Sequence, residues 1–172
     1  MAKKKKKKSK SSISELLLAV TAMLAIVSFI MMFMTKLELT LKSTSLVSTI
    51  EWKNIFFGKT RTSGSTSFTT INGVIMGFIA YIVILLGGLG AVFTVFMKNK
   101  TLSGFLAFLC GLVMIGFGIC IFFIPSMFAD KNEAIKTAYD IKLTIAPILG
   151  GVFAILGGVL SVASPVLKKY YK

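Results

Sequence analysis

The side chains that most often do chemistry are scarce in this chain, and those present are poorly placed for it. Histidine does not occur at all. That removes the commonest general base, the commonest metal ligand and the usual pH switch. The two cysteines, Cys110 and Cys120, share one apolar run and stand ten positions apart. That spacing is about 1000° of helix rotation, so they point to different faces. They read as two small apolar residues, and neither supports an extracellular disulfide framework. From Leu16 to Met34 in the first long apolar run, and throughout the other three, no Asp, Glu, Lys or Arg occurs. Proton-coupled pumps and carriers of charged solutes usually keep an ionisable group inside the membrane. Polar residues available within the runs include Thr21, Ser28, Tyr81, Thr94, Ser161 and Ser164. They read as scattered single residues, accounted for by helix–helix hydrogen bonds. The cluster Gly87-Gly88-Leu89-Gly90 lies mid-run and is followed by no lysine or Ser/Thr pair of the kind a phosphate loop needs. It reads as a kink or a close helix contact rather than a broken, substrate-coordinating helix. No enzyme, metal or other cofactor is expected.

What remains are residues suited to contact rather than catalysis. Lys3, Lys4, Lys5, Lys6, Lys7, Lys8 and Lys10 make a basic, low-complexity tail. Near an anionic leaflet each lysine is worth about 1 kcal/mol, within a Debye length. The tail is therefore expected to contact anionic lipid. Basic runs also attract nucleic acid phosphates without sequence preference. Here no aromatics are interleaved to stack on bases, so specific nucleic acid binding is not expected. Trp52, Phe56 and Phe57 are a second candidate. Aromatic anchors dominate protein interfaces, so the trio is a possible partner-binding site. The plainer reading, and the favoured one, is that they pack a small sheet onto helices or sit at the headgroup level.

The elements that position these groups follow from hydropathy. The chain has 172 residues, 55% of them hydrophobic, and a net charge of +14. The apolar excess is gathered into four runs, expected as membrane spans at 13–34, 73–97, 102–124 and 143–167. The first contains nineteen uncharged residues, Leu16 to Met34. At the helical rise that is about 28 Å, near the ~30 Å hydrocarbon thickness. It exceeds a secretory h-region, and Thr35-Lys36-Leu37-Glu38 offers no cleavage site, so an uncleaved span is expected. Ser12-Ile13-Ser14-Glu15 reads as a capping box that starts the helix near Ile13. Pro125 closes the third run.

Lysine bias sets the orientation. The tail (1–12), Lys98, Lys100, Lys168, Lys169 and Lys172 carry twelve cations on one side against the single acid Glu15. The eight on the other side share their loops with Glu38, Glu51, Asp130, Glu133 and Asp140. Both chain ends are thus expected in the cytoplasm of a multi-pass cell-membrane protein, with outer loops at 35–72 and 125–142. The preference for lysine, 19 against one arginine, fits an AT-rich bacterial genome.

The first outer loop should hold a small sheet. Leu37, Leu39 and Leu41 alternate with Lys36, Glu38, Thr40 and Lys42, a strand period. A second strand is expected within Val47 to Phe57, and Thr60 to Thr70 reads as a polar third strand or a flexible loop. In the second outer loop Asp130-Lys131-Asn132-Glu133 reads as another capping box. It predicts a short helix from Lys131 toward Lys142 that continues into the fourth span until Pro147.

Small residues supply the packing signal. Ala146, Gly150, Ala154 and Gly158 recur every four positions, and Gly104, Gly111 and Gly118 every seven. Such ridges let helices approach closely in lipid. Packing inside one bundle is the main expectation; a homodimer or another membrane protein seated on one ridge is the sharper alternative.

Four helices, a long first outer loop with strand pattern and Trp52, and a shorter second loop resemble the claudin-like tetraspan fold, loosely over the whole chain. The resemblance implies an all-α membrane bundle with a small β-rich extracytoplasmic loop between helices 1 and 2. The W-GLW-C-C loop signature of claudins is absent: Trp52 is the only tryptophan and the loop has no cysteine. Junction or paracellular-pore function is therefore not implied. The chain is also similar to small uncharacterised four-span proteins of low-GC bacteria, a likeness that brings no activity. The leading functional expectation is a non-enzymatic accessory, scaffold or surface-interaction component, and the alternative is a small transporter or channel subunit acting as an oligomer.

Overall fold

A computed structural model describes residues 2–63 and 66–170; the side chains of 2–12, 61–69 and 168–170 lie outside that description. The helices are α1 (Ala2–Phe33), α2 (Trp52–Phe57), α3 (Ile75–Phe93), α4 (Lys100–Phe122), α5 (Ile124–Lys131), α6 (Glu133–Ala138) and α7 (Ile145–Tyr170). The strands are β1 (Lys36–Leu41), β2 (Val47–Glu51), β3 (Lys59–Ser63), β4 (Thr66–Ile71) and β5 (Tyr139–Leu143). Among the described residues, α1, α3, α4 and α7 are long and apolar enough to cross a membrane, over Ile13–Phe33, Ile75–Phe96, Lys100–Phe122 and Ile145–Leu167. They form an antiparallel ring in which α1 neighbours α3 and α7, and α4 neighbours α3 and α7.

The bundle buries Met32, Ile84, Met114 and Ile121 at its centre, yet it also exposes many large apolar side chains on its outside. Its interior seams carry small and hydroxyl side chains, while large apolar ones face outward: Leu16, Met23 and Ile30 on α1, Leu86 and Phe93 on α3, Phe105 and Leu112 on α4, Leu156 on α7. In water this would be a large aggregation-prone surface. In lipid, outward leucine costs nothing and close backbone approach drives packing.

Two seams meet on α7, each repeating every seven residues, the period at which antiparallel helices stay in register. Against α4, a Cβ on Gly104 would stand 3.3 Å from Pro165 Cβ, one on Gly111 2.6 Å from the Gly158 carbonyl, and one on Gly118 3.1 Å from the Gly151 carbonyl. Against α1, the hydroxyls of Ser14, Thr21 and Ser28 bond to Ser164 Oγ (2.7 Å), the Gly157 carbonyl (3.1 Å) and the Gly150 carbonyl (2.8 Å). Thr35 continues the series and shares a 3.2 Å hydrogen bond with the Tyr81 hydroxyl. All four are buried, three on α1 and Thr35 two residues past its end. So the polar residues of the spans, which read as scattered, form on α1 one stripe at seven-residue spacing. The α1/α3 seam closes where Gly88 lies against Ala25. α3 passes unbroken through the Gly87–Gly90 cluster, which is a close contact and not a kink.

At one end of the bundle sits a three-stranded antiparallel sheet in the order β2-β1-β5. Leu37 and Leu39 of β1 are buried toward the bundle. Their partners on β5 are Leu143 and Ile141, with Glu38 opposite Lys142. On the β2 side Lys36 lies opposite Glu51, and opposite charges facing each other across strands favour that register. β3 and β4 form a separate hairpin.

Four details differ from expectation. The first helix does not start at a Ser12 capping box; it runs back to Ala2, as a lysine-rich segment of good helix formers allows. Trp52 to Phe57 is a one-and-a-half-turn helix, not the end of a strand. The Thr-rich segment is a hairpin rather than a single strand or loop. The second loop is α5, α6 and then β5, so no helix runs on into the fourth span. Asn132, not Asp130, precedes α6, and its side chain makes no cap. It is occupied elsewhere.

Candidate interaction surface: the sheet cap and its aromatic ledge

The cap is fastened to the bundle by a few specific contacts. Asn132 joins its two loops: its Oδ1 accepts from the Asn72 N–H at 2.8 Å, and its Nδ2 donates to the Asn72 carbonyl at 3.0 Å and the Phe128 carbonyl at 2.9 Å. Asn72 Nδ2 returns a bond to the Lys131 carbonyl at 2.9 Å. This pair of amides does for the two loops what a backbone ladder does for strands: it fixes register through reciprocal donors and acceptors. Gly58, at φ +79°, turns the chain between α2 and β3. A Cβ there would stand 2.6 Å from the Ile71 carbonyl, so only glycine closes the base of the hairpin.

The three candidate aromatics separate. Phe56 is fully buried, packed on Phe78 and Tyr81 with ring centroids 6.3 and 6.2 Å away, and a Cβ on Gly77 would collide with its ring. It is a core residue that plugs the top of the bundle. Trp52 is half-buried, and Phe57 is 57% exposed. They belong to a longer row that also contains Phe33 and Phe78. Centroid distances along it are 5.2 Å from Phe33 to Trp52, 6.4 Å from Trp52 to Phe57 and 5.1 Å from Phe57 to Phe78. The first two contacts are edge-to-face, a geometry favourable beyond the area buried, and the third is tilted. The row lies across the last residue of α1 and the first turn of α3. Phe33 and Phe78 were the members that the loop alone did not reveal. Lys53 Nζ stands 5.8 Å from the centroid of the Trp52 ring, within cation–π reach.

The strands leave a different kind of surface. Among the described residues β2 pairs only with β1, which leaves its far edge unpaired, and the adjoining Leu46 and Val47 are 67% and 64% exposed. An exposed edge bearing apolar side chains is a template for another strand. At the opposite side of the cap, a shallow open depression of about 270 Å³ is lined by Lys42, Lys136, Tyr139 and Asp140 among others. Its cations are already engaged: Lys42 donates to the Lys136 carbonyl at 3.1 Å, and Lys136 to Asp130 at 2.9 Å. Asp130 holds the Lys136 ammonium above its ordinary pKa through that hydrogen bond and its charge.

Comparison of the chain with models of protein families, with curated proteins and with solved structures found no match. The geometry therefore stands on its own.

The remaining sequence candidates fall as follows. Gly111, Gly118, Ala154 and Gly158 are buried between α4 and α7. Gly150 is buried between Met31 and Tyr81 on the other side of α7, Gly104 touches Pro165, and Ala146 is half-buried. Gly151 and Gly157, which an every-fourth-residue ridge passes over, are as tightly enclosed; the seven-residue repeat would have found both. Cys110 and Cys120 are free thiols. The side chains of Lys3, Lys4, Lys5, Lys6, Lys7, Lys8 and Lys10 lie outside the described residues. Among the described residues no cluster of His, Cys, Asp or Glu could hold a metal ion.

Proposed function

We propose that this is a non-enzymatic accessory, scaffold or surface-interaction component of the cell membrane, whose working surface is the sheet cap. The observation that carries the reading is the contrast between interior and cap. The small-residue seams of α4 and α7 face each other within one chain, and the α1 hydroxyls are bonded across to α7 and Thr35 to Tyr81 of α3, so the bundle interior is committed to holding itself together. Among the described residues the outer edge of β2, beside Leu46 and Val47, is a strand edge free to pair that also carries exposed large apolar side chains. In this reading the lysine-rich ends lie in the cytoplasm, where the tail meets anionic lipid, and the cap faces the other side. The partner is another membrane or surface protein that adds a strand to β2.

The test is a photo-crosslinking amino acid placed at Val47, on the edge, and at Leu112, on the lipid face of α4, combined with native mass measurement in nanodiscs. A discrete protein adduct from position 47 and none from 112 is expected. A monomeric mass with no adduct from position 47 would sink the proposal.

A further inference from the structure

We infer that the aromatic ledge is a phospholipid seat: one acyl chain lies along the α1/α3 groove and the headgroup phosphate meets Lys53. The inference rests on the four-span reading, but not on which side of the membrane the cap faces.

Position is the first argument. Phe33 ends α1 and Phe78 lies in the first turn of α3, so the row of rings marks the level at which two spans leave the hydrocarbon. That is where amphipathic aromatic rings settle in a bilayer. α2 lies at this level with Ile55 and Phe56 turned into the protein and Phe57 turned out. A protein partner would have to compete with lipid for the same belt.

Continuity is the second. Helical spacing places Ile26, Phe29 and Phe33 along one side of α1, and Phe78, Ile82 and Leu85 along the facing side of α3. All six are partly or largely exposed. The groove between them runs above the point where Gly88 and Ala25 bring the two helices close. It opens upward onto Trp52 and Phe57. The ledge is thus the top of a lipid-facing surface and not an isolated patch on the cap.

Charge is the third. Lys53 is exposed, and its ammonium is held over the Trp52 ring instead of being paired with an acid; among the described residues its Nζ has no carboxylate within ion-pair distance. An ammonium beside an interfacial tryptophan sits at phosphate depth, where long cationic side chains reach out of the apolar layer. An anionic headgroup is favoured there over a zwitterionic one. One lysine near the surface gives about a fivefold preference, which is about 1 kcal/mol converted at 1.4 kcal/mol per tenfold.

Trp52 is the only tryptophan, so its fluorescence reports this site alone. The full chain is reconstituted in phosphatidylcholine vesicles containing lipid brominated at a shallow or a deep acyl position. Stronger quenching by the shallow bromine than by the deep one, with little quenching by aqueous iodide, is the expected result. Brominated phosphatidylglycerol at low mole fraction should out-quench brominated phosphatidylcholine by about fivefold in apparent occupancy, and Lys53→Gln should abolish that preference while leaving the depth profile unchanged. Strong iodide quenching with little lipid quenching would overturn the seat and point to a water-facing ledge or a protein contact. A preference unaffected by Lys53→Gln would overturn the assigned headgroup contact. Spin labels on the outward faces of the spans separate this failure from failure of the four-span reading: if those labels lie in lipid and Trp52 does not, only the seat is wrong.

Discussion

Replacing Gly111 by alanine probes the α4/α7 seam with a single methyl group. The new Cβ would stand 2.6 Å from the Gly158 carbonyl oxygen, 2.8 Å from Val162 Cγ2 and 3.0 Å from the Val162 nitrogen. Ordinary contact begins at 3.4 Å, so the closest approach is short by about 0.8 Å. Val162 could turn its methyl away; two of the three obstacles are backbone atoms and cannot. The helices must separate along the seam, and overpacking of this kind costs about 1–3 kcal/mol. Gly158→Ala meets the mirror-image obstacle, the Gly111 carbonyl at 2.6 Å. Both substitutions are relieved by the same movement, so the double variant should cost well under the sum of the singles. Gly118→Ala, whose nearest neighbours are at 3.0–3.1 Å, should cost less. Gly116, with nothing within 4 Å, is the internal control; alanine there should be neutral or stabilise by up to about 1 kcal/mol through helix propensity. Reversible unfolding by SDS in mixed micelles measures all five variants. The expected order of destabilisation is Gly111 ≥ Gly158 > Gly118 > Gly116. Equal effects at Gly111 and Gly116 would refute the close-packed seam.

Three further outcomes follow from the same contacts. Ser28→Ala removes one α1-to-α7 hydrogen bond, whose acceptor remains in its own helix ladder; a loss of about 0.6 kcal/mol, and at most about 1.7, is expected in the same unfolding assay. Asn132→Leu deletes three hydrogen bonds and strands the Asn72 backbone groups, so a loss of about 1–3 kcal/mol should accompany faster amide exchange at Asn72 and in β4. For the Lys136–Asp130 pair the folded-state lysine pKa is raised, so its stabilising contribution is complete below about 10.5 and is lost as the pH climbs through the higher folded value; between pH 6 and 9, roughly, Asp130→Asn should leave the slope of stability against pH unchanged.

Run length and charge made the spans legible, because a bilayer demands about twenty apolar residues and tolerates few others. Each expected span coincides with a long apolar helix whose ends lie within a few residues of it, except that α1 begins well before the first span, at Ala2. The β1 strand was legible for an equally direct reason: its two faces see different solvents, so its residues alternate. β5 carried the same signal, with Tyr139, Ile141 and Leu143 alternating with Asp140 and Lys142. It was masked by an apparent capping box at Asp130 to Glu133, and local helix signals cannot weigh a strand partner about a hundred residues away. Register explains what pattern did not: β5 is extended because β1 offers it Leu37 and Leu39 on one face and Glu38 on the other. The stripe of Ser14, Thr21 and Ser28 on α1, continued by Thr35 just past its end, was present as a spacing and went unread, since hydroxyls are common and each looks incidental until its partner on the next helix is known. The aromatic row was half visible. Trp52 and Phe57 are conspicuous in a loop, whereas Phe33 and Phe78 are hidden by being ordinary residues of two spans.

Spin labels test most directly the claim that the exposed apolar faces of this bundle meet lipid. With Cys110 and Cys120 replaced by alanine, labels are placed at Met23, Ile30, Leu86, Leu112 and Leu156 in bilayers, and collision with oxygen is compared with collision with a water-soluble nickel chelate. The expected result is high oxygen and low nickel accessibility at all five positions, with Met23 and Leu86 deeper than a label at Leu46 on the cap. High nickel accessibility along the outward faces would mean that they meet water, and would contradict the account.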